Sequence, residues 1–286
     1  MPISGNATTE TGSPVDFVRI FNWPSEELAG VVTPDENGDW QFSPFWDGNY
    51  GITYIAQGCQ PITHGPYWIE GDASIPTDSL IMYFDMEGSG TEVTDKSGNG
   101  YHAELMGGAT RELAGLIGYS LRCNGRNQFA QLPSNIPSMP TNMTVSLWIK
   151  VERLKTDQQM ILEALLGRSV NLQMGENQAP GLIHLRGQIG GSWTDFLVSP
   201  NPISIGEWHH ILVEKEDKIF TLSINNTVQA VSEEVEVSTT SGAMRLGGRE
   251  TTADRTLNGE MDLVRVYNRI LTANEKVGLF AEPART

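Results

Sequence analysis

The feature that most constrains this chain of 286 residues is the rhythm of its apolar runs. The runs are short and rich in Val, Ile, Phe, Trp and Tyr, and Gly, Pro, Asn or Asp interrupts them about every ten residues. Residues 145–151 and 219–224 alternate with the period of two that half-buried strands show. This spacing is typical of β-sandwiches rather than helical folds, so we predict an all-β protein.

One short helix is predicted after Leu271. Thr272 and Glu275 have the spacing of a capping box, in which each side chain binds the other's free backbone N–H, and apolar residues follow. This segment is a brief terminal helix and does not organise the fold.

The chain is acidic, and its charge is unevenly spread. A net charge of −16 disfavours binding to nucleic acid or anionic lipid, because both take most of their affinity from basic side chains. Residues 1–74 hold ten acids and the single base Arg19, whereas the remainder holds 25 acids and 18 bases. We therefore predict two domains, residues 1–72 and 80–286, joined by a polar linker at 73–79.

Cysteine usage and the first residues predict the compartment. Cys59 and Cys123 lie on opposite sides of the predicted boundary, so both are interpreted as free, buried thiols rather than a disulfide. The N-terminus shows neither a basic nor an apolar signal region, and no segment approaches the roughly 18 apolar residues of a membrane span. We expect synthesis and assembly in a cytoplasm, with no membrane insertion.

The first 70 residues carry strands and turns of their own. The predicted elements are strands at 15–21 and 28–33, a turn at 34–39 with Asn-Gly at its tip, a strand at 40–42, a turn at 46–50 and strands at 51–56 and 67–69. This order resembles the carboxypeptidase-regulatory, transthyretin-like β-sandwich. The resemblance implies a spacer and docking module. Four tryptophans are too many for so small a core, which indicates a surface for a partner subunit.

Five motifs in the rest of the chain follow the order of one known domain. They are Asp-Lys-Ser-Gly-Asn-Gly at 95–100, Gly-Tyr-Ser-Leu-Arg-Cys-Asn-Gly at 118–125, Met-Thr-Val-Ser-Leu-Trp-Ile-Lys at 143–150, Gly-Glu-Trp-His-His at 206–210, and the run from Gly259 to Leu271. Together they resemble the laminin-G-like, concanavalin A-like antiparallel jelly roll. The fold class implied is all-β: a small N-terminal β-sandwich, a larger jelly roll and a short C-terminal helix.

A structural calcium ion is the first candidate site. Asp95 and Asn99, with carbonyls of the turn between them, present hard oxygen ligands of the kind that Ca²⁺ prefers. The resemblance adds Asp262 and Asp85 to the ligand set. The alternative is that Asp95 and Asn99 only brace the turn through backbone amides.

Carbohydrate binding is the second candidate. Trp193 and Tyr101 lie on Gly-rich loops, where aromatic rings are presented to sugar rings. The alternative for a loop tryptophan is a cover over the core. Trp148 and Trp208 are assigned to the core.

Catalysis is not expected. Retaining β-glucan hydrolases of this fold need two carboxylates about 5 to 5.5 Å apart, in a pattern resembling Glu-x-Asp-x-x-Glu. Here Glu260 and Asp262 are followed by Arg265 in place of the last acid. His209 and His210 have no accompanying nucleophile or metal motif, so they are interpreted as core or surface histidines.

These observations lead to a functional hypothesis. Small β-sandwiches joined to lectin-like jelly rolls resemble the adhesion and decoration modules of tailed bacteriophages. We therefore expect a non-enzymatic virion protein of the tail, baseplate or capsid surface, assembled in the host cytoplasm and extracellular after lysis. Its expected partners are other virion proteins, further copies of itself and a host-surface glycan. The alternatives are a stand-alone carbohydrate-binding protein and a glycoside hydrolase.

Overall fold

The structure is a computed structural model that divides into two compact units. It describes residues 3–9, 12–22, 25, 28–42, 48–57, 59–69, 75–113, 115–155, 157–175, 180–239, 243–249 and 255–285. The first unit comprises Met1–Ile75 and Thr272–Leu279, and the second comprises Pro76–Leu271 and Phe280–Thr286. The predicted domain limits, 1–72 and 80–286, stay predictions.

The first unit contains six described strands in two antiparallel sheets. They are β1 (Ile3–Asn6), β2 (Phe17–Asn22), β3 (Leu28–Val32), β4 (Asp39–Phe42), β5 (Gly48–Ile55) and β6 (Ile62–Ile69). One sheet pairs β1 with β4, and the other has the order β3-β2-β5-β6. The predicted turn at 46–50 lies in part outside the described residues. The resemblance to the transthyretin-like sandwich stays a prediction.

Local chemistry explains the turn that leads into β4. The Asp35 carboxylate accepts hydrogen bonds from the backbone N–H groups of Asn37 and Asp39, and Gly38 adopts a φ of 82°. This positive φ is the reason that an Asn-Gly tip suits the turn. One prediction for this unit is wrong: Cys59 is exposed, because it lies in the loop before β6 rather than in a strand.

The second unit contains sixteen described strands. They are β7 (Leu80–Phe84), β8 (Glu92–Val93), β9 (Ala103–Met106), β10 (Thr110–Leu113), β11 (Tyr119–Asn124), β12 (Phe129–Gln131), β13 (Met143–Val151), β14 (Gln159–Glu163), β15 (Val170–Met174), β16 (Ile183–Ile189), β17 (Ser192–Val198), β18 (Trp208–Glu216), β19 (Ile219–Ile224), β20 (Thr227–Val231), β21 (Arg245–Leu246) and β22 (Asn258–Tyr267). A single turn of 3₁₀ helix, Leu165–Gly167, precedes β15.

These strands form two eight-stranded antiparallel sheets. The first has the order β10-β11-β22-β13-β18-β19-β20, with β7 also paired to β22. The second has the order β17-β16-β15-β14-β21-β12-β9-β8. Side chains from both sheets share one continuous hydrophobic core, which includes the buried Cys123. The all-β, jelly-roll prediction is confirmed.

Alternation along β13 shows how the sequence builds this core. Val145, Leu147 and Ile149 point into it, because successive side chains of a strand point to opposite faces. Trp148 therefore lies on the other face, where it is 7% exposed and stacks on Phe280 at 5.8 Å between ring centroids.

The burial predicted for Trp148 is thus confirmed, although its ring lies outside the cluster of side chains between the two sheets, whereas the assignment of Trp208 to the core is wrong. Trp208 pairs with Lys150, whose Nζ lies 5.1 Å from the Trp208 ring centroid, and Trp208 is only partly buried. The period of a strand identifies two faces, but it does not indicate which face an aromatic residue will share with the core.

The predicted terminal helix is confirmed as α1 (Ala273–Ala281), and a 3₁₀ turn, Glu282–Arg285, follows it. The Thr272 backbone N–H donates to Glu275 Oε2 at 2.7 Å, and the Glu275 N–H donates to Thr272 Oγ1 at 3.3 Å. These reciprocal bonds are the predicted capping box. In the part of the chain that is described, no helix is long and apolar enough to span a membrane.

Candidate functional site

The β16–β17 hairpin presents the most exposed aromatic ring that sequence analysis selected. Gly190 and Gly191 form its two-residue turn with φ values of 57° and 87°, a conformation that favours glycine at both positions. Trp193 follows directly in β17 and is 42% exposed. Because Trp193 lies next to an open turn, its ring is available to another molecule.

The register of the hairpin places polar side chains beside this ring. Gln188 pairs with Trp193 and Arg186 pairs with Asp195, and residues directly opposite each other share a face of a sheet. Leu185 belongs to the core, so alternation turns these four side chains away from it. A register shift follows Leu185, which makes Asp195 rather than Phe196 the partner of Arg186.

Three charged or titratable groups meet on this face. Arg186 Nη1 lies 3.4 Å from Asp195 Oδ2, and His184 Nδ1 lies 3.9 Å from Asp195 Oδ1. Asp195 Oδ1 is buried and accepts no hydrogen bond from any described group. Buried polar atoms without partners are rare in proteins and call for an explanation.

Tyr101 does not join this group. It lies just before β9, and its side chain is partly buried against the core. Six strand-to-strand steps separate β17 from β9 in their sheet, which at about 4.8 Å per step amounts to about 29 Å. The two aromatic residues selected from the sequence therefore cannot contact one small ligand together.

The predicted calcium ligand Asp95 is already engaged by the protein. Its carboxylate accepts hydrogen bonds from the N–H groups of Tyr83, Ser97 and Tyr101 and from the Ser97 hydroxyl, at 2.8 to 3.0 Å. Asn99 Nδ2 donates to the carbonyls of Leu80 and Ile81. These bonds are those of a braced turn. The arrangement favours the alternative, in which Asp95 and Asn99 brace the turn through hydrogen bonds.

The other two predicted ligands are also used locally. Asp262 is fully buried, and its two oxygens accept from the N–H groups of Ile117 and Leu263. Burial raises the pKa of Asp262 to about 7. Asp85 accepts from the Glu87 N–H. Among the described residues, no three His, Cys, Asp or Glu side chains form a group that could hold a metal ion. The calcium ion stays a prediction.

The first unit holds an open cavity that the sequence did not indicate. Its volume is ≈ 1070 Å³, and its lining includes Asp16, Tyr54, Cys59 and His64. The lining comes from three separate segments, so no local motif in the sequence could reveal it.

Comparison with known proteins identifies the family. The model of the concanavalin A-like lectin/glucanases superfamily matches residues 124–275, more than half of the chain. This chain belongs to the concanavalin A-like lectin/glucanases superfamily. The matched residues include β12 to β22, and with them the Trp193 face.

Solved structures with the superfamily fold share little sequence with this chain. Domain 4 of AbnA, a GH43 extracellular arabinanase from Geobacillus stearothermophilus in complex with arabinotriose, is 21% identical, with a TM-score of 0.56 over 70% of this chain and 98% of that one. The binding domain of Paraclostridial Mosquitocidal Protein 1 is 19% identical, with a TM-score of 0.58 over 72% and 52%. The binding domain of botulinum neurotoxin serotype D is 17% identical, with a TM-score of 0.53 over 72% and 52%. No curated protein matches the chain.

The charged side chains of the hydrolase-like motif, Glu260 and Arg265, form ion pairs and hydrogen bonds with other side chains of the protein. Glu260 Oε1 lies 2.7 Å from Lys150 Nζ, and Glu260 Oε2 accepts from the Ser120 hydroxyl at 2.6 Å. Arg265, in the position of the last acid, donates twice to Glu282 at 2.6 and 2.7 Å. The region therefore has the geometry of ion pairs rather than of a catalytic carboxylate pair.

His209 meets a serine, but in a tautomer that opposes catalysis. Its Nε2 lies 2.9 Å from Ser204 Oγ, which also donates to Glu207 at 2.5 Å. Asn225 Oδ1 accepts from the His210 N–H, so Asn225 Nδ2 faces His209 Nδ1 and donates to it at 3.2 Å. His209 Nε2 then carries the proton and donates to the serine. A general base needs the opposite tautomer.

Proposed function

We propose that the jelly-roll unit is a non-enzymatic carbohydrate-binding module in a structural protein of a bacteriophage virion. The observation that carries the binding role is the exposed Trp193 ring beside the polar side chains of Arg186, Gln188 and Asp195. Protein sites for small ligands combine an apolar contact surface with a few polar groups that fix orientation. An exposed indole for stacking and a fixed set of donors and acceptors meet this requirement for a sugar ring.

Three features support a binding role without catalysis. The Arg186, Asp195 and Trp193 side chains lie on the paired strands β16 and β17 and not on a closing loop. The carboxylates of the hydrolase-like motif are held in ion pairs and hydrogen bonds. His209 holds its proton on the nitrogen that faces Ser204. We expect no polysaccharide turnover, and hydrolysis abolished by one Asp or Glu substitution would refute the non-enzymatic proposal.

The binding role is tested by an immobilised glycan panel followed by titration of the strongest ligand. Trp193→Ala is expected to weaken binding at least about tenfold, because tryptophans at the centre of an interface commonly contribute 2 kcal/mol or more. Ile205→Ala is the control, because Ile205 is 54% exposed and bridges to Val151 on β13, in the other sheet. Equal affinities for both variants, or no glycan bound by the wild type, would contradict the proposal.

The virion setting rests on the combination of a small β unit with a lectin-like jelly roll. Such a chain suits a particle surface, where the first unit docks and the second contacts a host glycan. The partners would be other virion proteins and further copies of this chain. Mass spectrometry of purified particles is the test, and particles that lack this chain would contradict the setting while leaving the glycan-binding role intact.

A further inference from the structure

We infer that the Arg186–Asp195 pair on the Trp193 face binds hydroxyl groups of a neutral saccharide whose ring stacks on Trp193. This inference rests on the proposed carbohydrate-binding function and adds to it the class of sugar and the polar residues that recognise it.

The spacing of the residues suits one sugar ring. Trp193 and Asp195 are two positions apart on β17, so their side chains emerge on one face about 6.6 to 6.8 Å from each other. Gln188 lies directly opposite Trp193, and Arg186 lies directly opposite Asp195. A sugar ring stacked on the Trp193 indole therefore has the Gln188 amide beside it. The Asp195 carboxylate and the Arg186 guanidinium lie at the next position along the two strands.

Asp195 has bonding capacity that the protein does not use. Its hydrogen bond within the described chain is the one from Arg186 Nη1 to Oδ2, and at 3.4 Å that bond is long for charged partners. Oδ1 faces His184 Nδ1 at 3.9 Å without a hydrogen bond. An ionised carboxylate only accepts hydrogen bonds. Oδ2 receives the one long bond from Arg186, so it can accept further bonds from N–H or O–H donors. Sugar hydroxyl groups supply such donors.

A structural role accounts less well for this arrangement. Glu163, on β14 of the same sheet, shows what a structural carboxylate looks like here: Arg245 Nη1 donates to it at 2.7 Å. Glu163 and Arg245 are paired across β14 and β21, beside the core pair Leu162 and Leu246. Their bond is short, whereas that of Asp195 is long. The two acids therefore form a matched pair for experiment.

The charge balance favours a neutral ligand over an acidic one. Asp195 compensates the Arg186 guanidinium, so an anionic sugar would meet a carboxylate together with the cation. The chain also carries a net charge of −16, which repels anions at long range. A neutral sugar avoids both costs and uses the carboxylate as an acceptor.

The experiment compares Asp195→Asn with Glu163→Gln in the full chain. Both variants are melted, then titrated with the best neutral oligosaccharide and the best sialylated or uronic one from the glycan panel. For Asp195→Asn we expect at least a tenfold loss of affinity for the neutral sugar with an unchanged melting temperature. For Glu163→Gln we expect a lower melting temperature and unchanged affinity at a temperature where it is folded.

Each result has a defined meaning. Neutral binding that is lost in Trp193→Ala but kept in Asp195→Asn overturns the role of Asp195 and leaves carbohydrate binding intact. A preference of the wild type for acidic sugars overturns the neutral class. A melting temperature of Asp195→Asn lowered as far as that of Glu163→Gln marks Asp195 as a structural residue. If no glycan of either class binds, the proposed function fails together with the inference.

Discussion

His210 is a neutral histidine buried on the outer face of the first sheet of the second unit. Its Nε2 lies 2.8 Å from Ser146 Oγ, and its ring contacts those of Trp148 and Phe280. Burial lowers its pKa to about 3, and the positive charge of Arg265 acts in the same direction. A proton on this ring is therefore opposed by both desolvation and repulsion.

This burial makes stability depend on pH. Between about pH 3 and 6.5, the ordinary pKa of histidine, the unfolded chain binds a proton at His210 that the folded chain does not. The contribution of His210 to stability is therefore complete above pH 6.5 and falls as the pH drops below it. The loss approaches about 1.4 kcal/mol per pH unit for one such group. We expect melting temperatures between pH 7.5 and 5 to fall less steeply in His210→Gln than in the wild type. Parallel curves would contradict this prediction.

The hydrogen bonds of Asp95 predict how stability responds to calcium. Because its oxygens are engaged by backbone N–H groups and the Ser97 hydroxyl, we expect a calcium chelator to leave the melting temperature unchanged. A ligand that binds only the folded state must stabilise it, so a lower melting temperature with chelator would restore the calcium site. Asp95→Ala is expected to destabilise the protein with or without chelator, since it leaves those N–H groups without a partner.

Among the elements, the C-terminal segment that contains Phe280 and Glu282 is held in place by a buried ion pair. Arg265 on β22 is 3% exposed, donates twice to Glu282, and lies over the ring of Tyr83 at 4.0 Å. The stacking of Phe280 on Trp148 joins the same segment to β13. This segment thus covers the outer face of the sheet that carries His210.

Removal of one member of this pair is expected to cost more than removal of both. Glu282→Ala leaves a buried guanidinium without its partner, which costs about 3 to 5 kcal/mol and lowers the melting temperature by about 10 °C. The double variant Arg265→Met with Glu282→Leu is expected to recover most of this loss. Thermal melts of the wild type, Glu282→Ala and the double variant provide the measurement, and a double variant no more stable than Glu282→Ala would contradict a coupled pair.

The strands and the helix were predictable because their signals are local. Alternation at 145–151 and the capping box at Thr272 need only a few neighbouring residues. The burial of Trp148 was predictable, but not the face of the sheet on which it is buried, because the residue that covers it there, Phe280, lies 132 positions away in the sequence.

The candidate site also combines a feature that local sequence predicts with one that depends on how the strands pair. The exposure of Trp193 follows from the adjacent Gly190-Gly191 turn, which the sequence shows directly. The pairing of Asp195 with Arg186 depends on the register of β16 with β17 and on the shift after Leu185. A register shifted by one residue would turn the carboxylate to the opposite face, so this pair could not be found before the strands were placed.

At the scale of the whole molecule, the acidic charge and the uncharged character of the proposed ligand are consistent with each other. A protein of net charge −16 repels acidic glycans at long range but not neutral ones. Binding of a neutral sugar is accordingly expected to vary little with ionic strength. A strong salt dependence would indicate a charged ligand.

The most direct test of the account is an ¹H–¹⁵N spectrum of the tryptophan indole groups during titration with the neutral oligosaccharide selected from the glycan panel. The chain has seven tryptophans, and Trp193→Phe assigns the resonance of Trp193. We predict a saturable shift of the Trp193 indole signal, with the signal of Trp148 unchanged because that ring is covered by Phe280. Saturable shifts confined to other indoles would contradict the placement of the binding site on the β16–β17 face.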